Sequence, residues 1–328
     1  MRIGKLSSDD LKKIINNNRG YRREEVRIRS KIGEDCSVVS FGEFEGIFST
    51  DPITAADVNI GKLAVHINAN DIASCGVEPL GILVTILASP KSNIEDIQKI
   101  MSELHEECCK LKIEIIGGHT EVTDAVNKTI VSVTVIGKAP FGKAVATSTA
   151  KVGDDIIVTK KLGLEGTTII VNDFYSSIKD ILTKDELEEA KSYDEKLSVV
   201  KEGVVCGKIG VHAMHDITEG GVLGALWEMA EASNVGFKIY KDKMPITDIT
   251  QKLCDYLEIN PLKFISSGSM LICTENGDKA ICELRERGIE ATIIGNITDE
   301  GKVLVENNRY LNVDMPEEDE LYRLFDNN

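Results

Sequence analysis

No C-x-x-C pair occurs among the eight cysteines, Cys36, Cys75, Cys108, Cys109, Cys206, Cys254, Cys273 and Cys282. That absence excludes a C-x-x-C zinc site and a disulfide framework together, and the scattered thiols read as reduced, in a cytoplasm. Positive charge is also short: 38 basic side chains stand against 54 acidic ones, a net charge of −16. A field of that sign repels phosphate polymers and anionic membranes, so neither nucleic acid nor a membrane surface is expected as a partner. No apolar run reaches the roughly 18 residues that span a bilayer. The amino terminus "MRIGKLSSDDLKKIINN" is polar and reads as a capped amphipathic helix starting near Ser7, not as a signal peptide. No repeat at a solenoid period is present.

What is present is a chain of 328 residues, 42% hydrophobic, long enough for a full core in two domains of ordinary size. In the first half "CSVVSF", "EGIFST", "LGILVTILA", "KIEIIGG" and "KTIVSVTVIG" read as strands of a four- or five-stranded sheet. "GKLAVHINANDIASCG" reads as a buried helix and "NIEDIQKIMSELHEECCKL" as an amphipathic one. "KAPFGKAVATSTAKVGDD", rich in turn formers and without a sustained period, marks a domain boundary near residues 140–153. The second half restarts with "DIIVTK". Helices follow near 164–175 and 185–209, strand pieces at "VHAMHD" and "VGFKIY", and the pair "FISSGSMLICT" and "ATIIGNIT". The acidic stretch "TKDELEEAKSYDEK" reads as a solvated helical insertion, and Trp227 and Met229 as core.

"GKAPFGKA", Gly137 to Ala144, fits G-x-x-x-x-G-K and follows a strand. Ala144, however, stands where Ser or Thr would hold magnesium, and "VATSTAKVGDD" is no helix, so the piece reads as an interdomain turn. The acidic residues carry more information. Asp35 in "IGEDCSVVSF" enters an apolar strand and Asp51 in "FSTDPIT" leaves one. Asp71 lies in the buried helix with Asn68 at i, i+3 on one face. Taken singly, each aspartate reads as a cap or turn former. A buried carboxylate must nevertheless be paired, protonated or bound to a cation, and Lys62, about two turns before Asp71, cannot neutralise three. A hard divalent cation can, with nucleotide phosphates completing its shell. "GGHTEVT", Gly117 to Thr123, adds His119 and Glu121 where a buried strand is expected to end in a glycine turn. In the second half "HDITEGGVLGALWEMAEAS" runs from a strand through Asp216, Thr218, Gly220 and Gly221 into a helix whose first N–H groups suit an anion. "GLEGTTII" repeats that logic at another helix start.

In order, "GEDCSVV", "STDPI", "IGKLAVHINANDIASCGVEPL", "GGHTEVT", "DITEGG" and "SSGSML" resemble the signature of the aminoimidazole ribonucleotide (AIR) synthase superfamily over nearly the whole chain. That group includes the purine-pathway synthase, thiamine-monophosphate kinase, selenophosphate synthetase and the hydrogenase-maturation protein that dehydrates a carbamoyl thioester. The resemblance implies a two-domain α+β fold, residues 1–145 and 146–328, with a mixed amino-terminal sheet that pairs across a homodimer and a carboxy-terminal α/β sandwich. It implies ATP and Mg2+ near that interface. Asp35, Asp51 and Asp71 fall on its metal positions, and Asp35, Lys62, Asn68, Gly117, Gly118 and Thr120 on nucleotide positions. Asp216, Thr218, Gly220 and Gly221 fall on its second-domain motif. Catalytic roles are expected at Asp71, His119 and Glu121.

Four departures qualify this. His119 stands where the family usually has Asp or Glu, and imidazole is a poor magnesium ligand that suits borderline metals better. His119 then contacts phosphate directly, Glu121 takes over the metal, the site prefers another ion, or His119 only buttresses the turn. Glu34 stands where many relatives carry a second Asp. Glu219 replaces the arginine of D-P-T-R-G-G in the hydrogenase-maturation branch, to which "DITEGG" and "SSGSMLI" are most similar. That branch carries its carbamoyl group on a terminal cysteine, whereas this sequence ends "LYRLFDNN" after a last cysteine at Cys282, so its usual reaction is not expected. Nor does "MRIGKLSSDD" hold the reactive residue of selenophosphate synthetase. The expectation is an ATP-dependent enzyme that phosphorylates or dehydrates an amide or carboxylate oxygen of a small substrate, with a protein partner in a maturation pathway. The alternatives are a nucleotide-binding assembly or sensor protein without catalysis, and a thiamine-monophosphate-type kinase.

Overall fold

The computed structural model describes residues 6, 8–16, 18, 20–54, 59–315 and 318–326. The cap expected at Ser7 lies outside them. After helix α1 (Ser8–Asn16) come β1 (Val26–Ile28), β2 (Ser37–Phe41), β3 (Phe44–Ile53), α2 (Ile60–Ser74), β4 (Pro79–Ala88), α3 (Ile94–Leu111), β5 (Glu114–Val122) and β6 (Ile130–Pro140). The strands form one six-stranded sheet in the order β1-β2-β3-β6-β4-β5. Only β4 and β5 run parallel, as a crossover through α3 requires. The sheet is one strand larger than expected because β1, three residues long, is too short to show a period. Helix α3 starts at a reciprocal cap between Asn93 and Asp96 and turns Ile100, Leu104 and Cys108 inward. Helix α2 buries twelve of its fifteen residues. It packs with α3 over Ile47, Ile82, Val84, Ile86, Val133 and Val135.

The second half supplies β7 (Asp155–Thr159), α4 (Leu164–Asp173), α5 (Tyr175–Ile178), α6 (Lys184–Ser192), α7 (Val200–Ile209), β8 (Ala213–Ile217), α8 (Gly221–Ser233) and β9 (Gly236–Tyr240). It continues with α9 (Asp248–Leu257), β10 (Ser269–Thr274), α10 (Gly277–Arg285), β11 (Ala291–Thr298), β12 (Lys302–Glu306), β13 (Arg309–Asn312) and α11 (Tyr322–Asp326). Seven strands pair in the order β13-β12-β9-β11-β7-β10-β8. Alternation along β7 sends Ile156 and Val158 to one face, where Leu223, Leu226 and Met229 of α8 cover them. Ile157 goes to the other, against Cys206 of α7 and Ala280 and Leu284 of α10. The result is a sheet sandwiched between helices.

Three local expectations fail for tertiary reasons. The single helix expected over 185–209 is broken between Ser192 and Val200. There Asn70 of α2 donates to Leu197 O at 2.9 Å and accepts from Val199 N at 2.8 Å. The acidic stretch is likewise not wholly solvated, since Tyr193 and Ala190 are buried. Nor does a turn interrupt "IIGGHTEV": β5 runs straight through both glycines and is largely exposed rather than buried. Gly118 has φ +152°, and a Cβ there would meet Val84 O at 1.9 Å, so the residue is needed for the strand to approach β4, not for a turn. "GKAPFGKA" is the end of β6 followed by a turn, with no α-helix after it.

Candidate functional site

A cleft of about 740 Å3 opens where the two halves meet. Into it project Asp35 from the segment before β2, Asp51 from β3, Asp71 from α2, Asp216 from β8 and Glu165 from α4. Glu34, Glu219 and Glu228 bring its carboxylates to eight among the described residues, against Lys31 and His215. Lys31 is already committed, its Nζ donating to Ala232 O at 2.6 Å.

Neighbours fix several of these acidic residues. Asn68 Oδ1 accepts from Asp51 N at 2.9 Å, and its amide donates to Ala64 O at 2.9 Å, which fixes the end of β3 on α2. Ser49 Oγ donates to Asp71 Oδ2 at 2.6 Å. Burial, and then the like charges of Asp216, Asp51 and Asp35, hold the Asp71 carboxyl well above the usual carboxylate range. Glu34 accepts from Thr147 N and Ser148 N at 3.2 Å each, and so clamps the turn between the halves. Asp35 Oδ2 is buried with no hydrogen-bond partner among the described residues. Asp35 Oδ1 lies 2.7 Å from His215 Nδ1, a charge contact whose alignment falls short of a hydrogen bond. His215 Nε2 is 3.1 Å from Glu228 Oε2. Burial opposes charge on that imidazole, but Asp35 and Glu228 outweigh it and raise its pKa well above the ordinary histidine value.

The structure gathers Asp35, Asp51, Asp71, Asp216 and Thr218 around this cleft. Other expected site residues stand elsewhere. Lys62 precedes Asp71 by nine positions, half a turn out of phase on a helix of 3.6 residues per turn. Its Nζ is bound to Asp194 Oδ2 at 2.6 Å and Glu195 Oε1 at 3.0 Å, so it serves the acidic stretch rather than the aspartates. Gly117, Gly118, His119, Thr120 and Glu121 lie on β5 at the sheet edge, and none lines the cleft. Asp51 registers with Val133, Val133 with Val84 and Val84 with Gly118, placing β5 three strand spacings, about 14 Å, away. The pleat puts His119 in line with Thr85 and Ser132, on the face opposite the side chain of Asp51. His119 and Glu121 are exposed and bonded to one another at 3.2 Å. Gly220 N does not await a ligand: Asp319 Oδ2 accepts from it at 2.6 Å, and Gly221 N donates to Thr218 O at 3.1 Å.

Sequence reasoning missed His215, Glu228, Glu165 and Asp319. The signal for His215 was present, since β8 is buried at all five positions and still carries two ionisable side chains. Glu165, inside "GLEGTTII", is a buried acidic side chain in a stretch of helix, 164–171, that is otherwise apolar or small.

Two domains of this topology enclosing one acidic cleft define the class. Family models match the AIR synthase related protein, N-terminal domain, over residues 33–139, and its C-terminal domain over residues 151–306. The chain belongs to the AIR synthase related family. It is 34% identical to a putative hydrogenase expression/formation protein of Methanocaldococcus jannaschii, over 98% of this chain and 97% of that protein. It is 26% identical to carbamoyl dehydratase HypE of Rhizobium leguminosarum bv. viciae, over 84% of this chain and 80% of that one. The fold is similar to a crystal structure of the hydrogenase maturation protein HypE in complex with ATP, with TM-score 0.72, 18% identity and 97% of each chain covered.

Proposed function

We propose that this protein is an ATP-dependent enzyme that activates an amide or carboxylate oxygen of a small substrate by phosphorylation, leading to dehydration. The observation that carries the reading is the convergence of Asp35, Asp51, Asp71 and Asp216 in one cleft with almost no cation to neutralise them. The name and the bound ATP of the HypE relatives support it.

Mg2+, which the family implies, fits the donors present: several carboxylates stand within mutual electrostatic reach, and one buried oxygen of Asp35 has no hydrogen bond among the described residues. Bound there, the ion would neutralise charge on a transferring phosphoryl group. Asp51, its backbone fixed by Asn68, and Asp71, its carboxylate held by Ser49, would bind it, with Asp35 in support. Thr218 and Ser267, on the opposite wall, would position the acceptor, and Glu219 favours a neutral or cationic group beside it. A homodimer belongs to the same reading, supported by the exposed Leu80, Leu83 and Ile116 on β4 and β5. His119, Thr120 and Glu121 would then meet a nucleotide only from a second chain laid along that edge. Their remoteness from the cleft favours, as a second reading, nucleotide binding without turnover; ATP hydrolysis coupled to any amide substrate would remove it.

Titration calorimetry with ATP and Mg2+ tests the first reading. Binding is expected in the wild type and loss of at least about tenfold in affinity in Asp71→Ala. Absence of binding, or an unchanged isotherm in the variant, sinks it.

A further inference from the structure

His215 has no part in the nucleotide reading, and its two ring nitrogens face different surroundings. The side chain is 7% exposed on a strand buried throughout. Nε2 is held by Glu228 Oε2 at 3.1 Å. Nδ1 looks into the cleft, 2.7 Å from Asp35 Oδ1 and 3.9 Å from Asp216 Oδ1. Its short contact with Asp35 Oδ1 is an ion pair, and Asp35 Oδ2 is buried without a hydrogen-bond partner among the described residues. One ligand atom from each of Asp35, His215 and Asp216 lies within 4.8 Å of the others.

A carboxylate on the far nitrogen of an imidazole, with the near nitrogen among further carboxylates, is the arrangement that fixes a metal-ligating histidine. Magnesium binds oxygen and sheds water reluctantly, whereas imidazole favours first-row transition ions. The structure assigns Asp35, His215 and Asp216 as a site for a divalent first-row transition-metal ion, which displaces the proton of His215 Nδ1 to solvent and is ligated there, with Glu228 orienting the ring. It lies beside the Asp51 and Asp71 carboxylates, which suit a hard ion. The site needs no nucleotide, so its test and that of the ATP reading fail separately.

The full chain is dialysed against CoCl2 and against MgCl2 without nucleotide. One Co2+ per chain is expected, held at least about tenfold more tightly than Mg2+. Proton NMR of the Co2+ form should show one exchangeable, hyperfine-shifted resonance, the Nε2 proton held by Glu228, and His215→Asn should remove it. Glu228→Gln should weaken Co2+ about 10- to 100-fold. The wild-type spectrum needs no variant to fold. Equal retention of the two ions, a Co2+ form without the shifted proton, or Co2+ affinity undiminished in the variants would overturn the site and leave His215 as an internal ion pair.

Discussion

Asp319 shows how one side chain decides what a motif can do. Its carboxylate accepts from Gly220 N at 2.6 Å and Leu321 N at 2.8 Å, so it occupies the helix start that sequence spacing offers to an anion. Burial nevertheless lifts its pKa from 3.8 to about 7, despite those donors. The native state therefore keeps a proton that the unfolded chain releases near pH 4. Stability falls as pH rises through that window, by up to about 4 kcal/mol. Asp319→Asn should flatten this part of the urea-denaturation profile between pH 4 and 7, and the variant should match or exceed the wild type at pH 8. An unchanged slope would show that the carboxyl ionises freely in the folded protein. Lys62 teaches the same lesson: its identity and its helix were plain in the sequence, but helical phase turned it to Asp194 and Glu195.

At the scale of elements, α2 is the pivot. One of its faces carries Asp71 to the cleft and Asn68 to the end of β3, another carries Asn70 to the segment that breaks the long helix, and its carboxy-terminal turn meets α7. That contact is close enough to need glycine: a Cβ on Gly203 would lie 2.0 Å from Ala73 O. Gly203→Ala should force α7 off α2 and destabilise the protein by about 1–3 kcal/mol, read as a shifted urea midpoint. A midpoint within error of the wild type would mean that the helices separate at no cost. Helix α2 and ten of the thirteen strands were legible from period and punctuation. The short β1, β12 and β13 and the run of β5 through two glycines were not, because strands of three to five residues show little period and Gly118 signals close approach as readily as a turn.

For the whole molecule, the first sheet leaves Leu83 40% exposed, in register with Thr134 and, beyond it, Thr50. If that face pairs with a second copy, light scattering will give twice the chain mass for the wild type and the single mass for Leu83→Glu. A monomeric wild type would withdraw the homodimer and any role for His119 and Glu121 in a shared site. Composition and pattern alone determined two α+β halves, the absence of an apolar span, a strongly acidic surface and three aspartates out of place, because hydrophobic period and local charge are properties of neighbouring residues. Tertiary structure alone decided that those aspartates share a cleft with Asp216, that His215 and Glu228 stand with them, and that His119 does not. Such matters depend on strand order, helical phase and the side of a pleat, and these are settled only when distant segments pack.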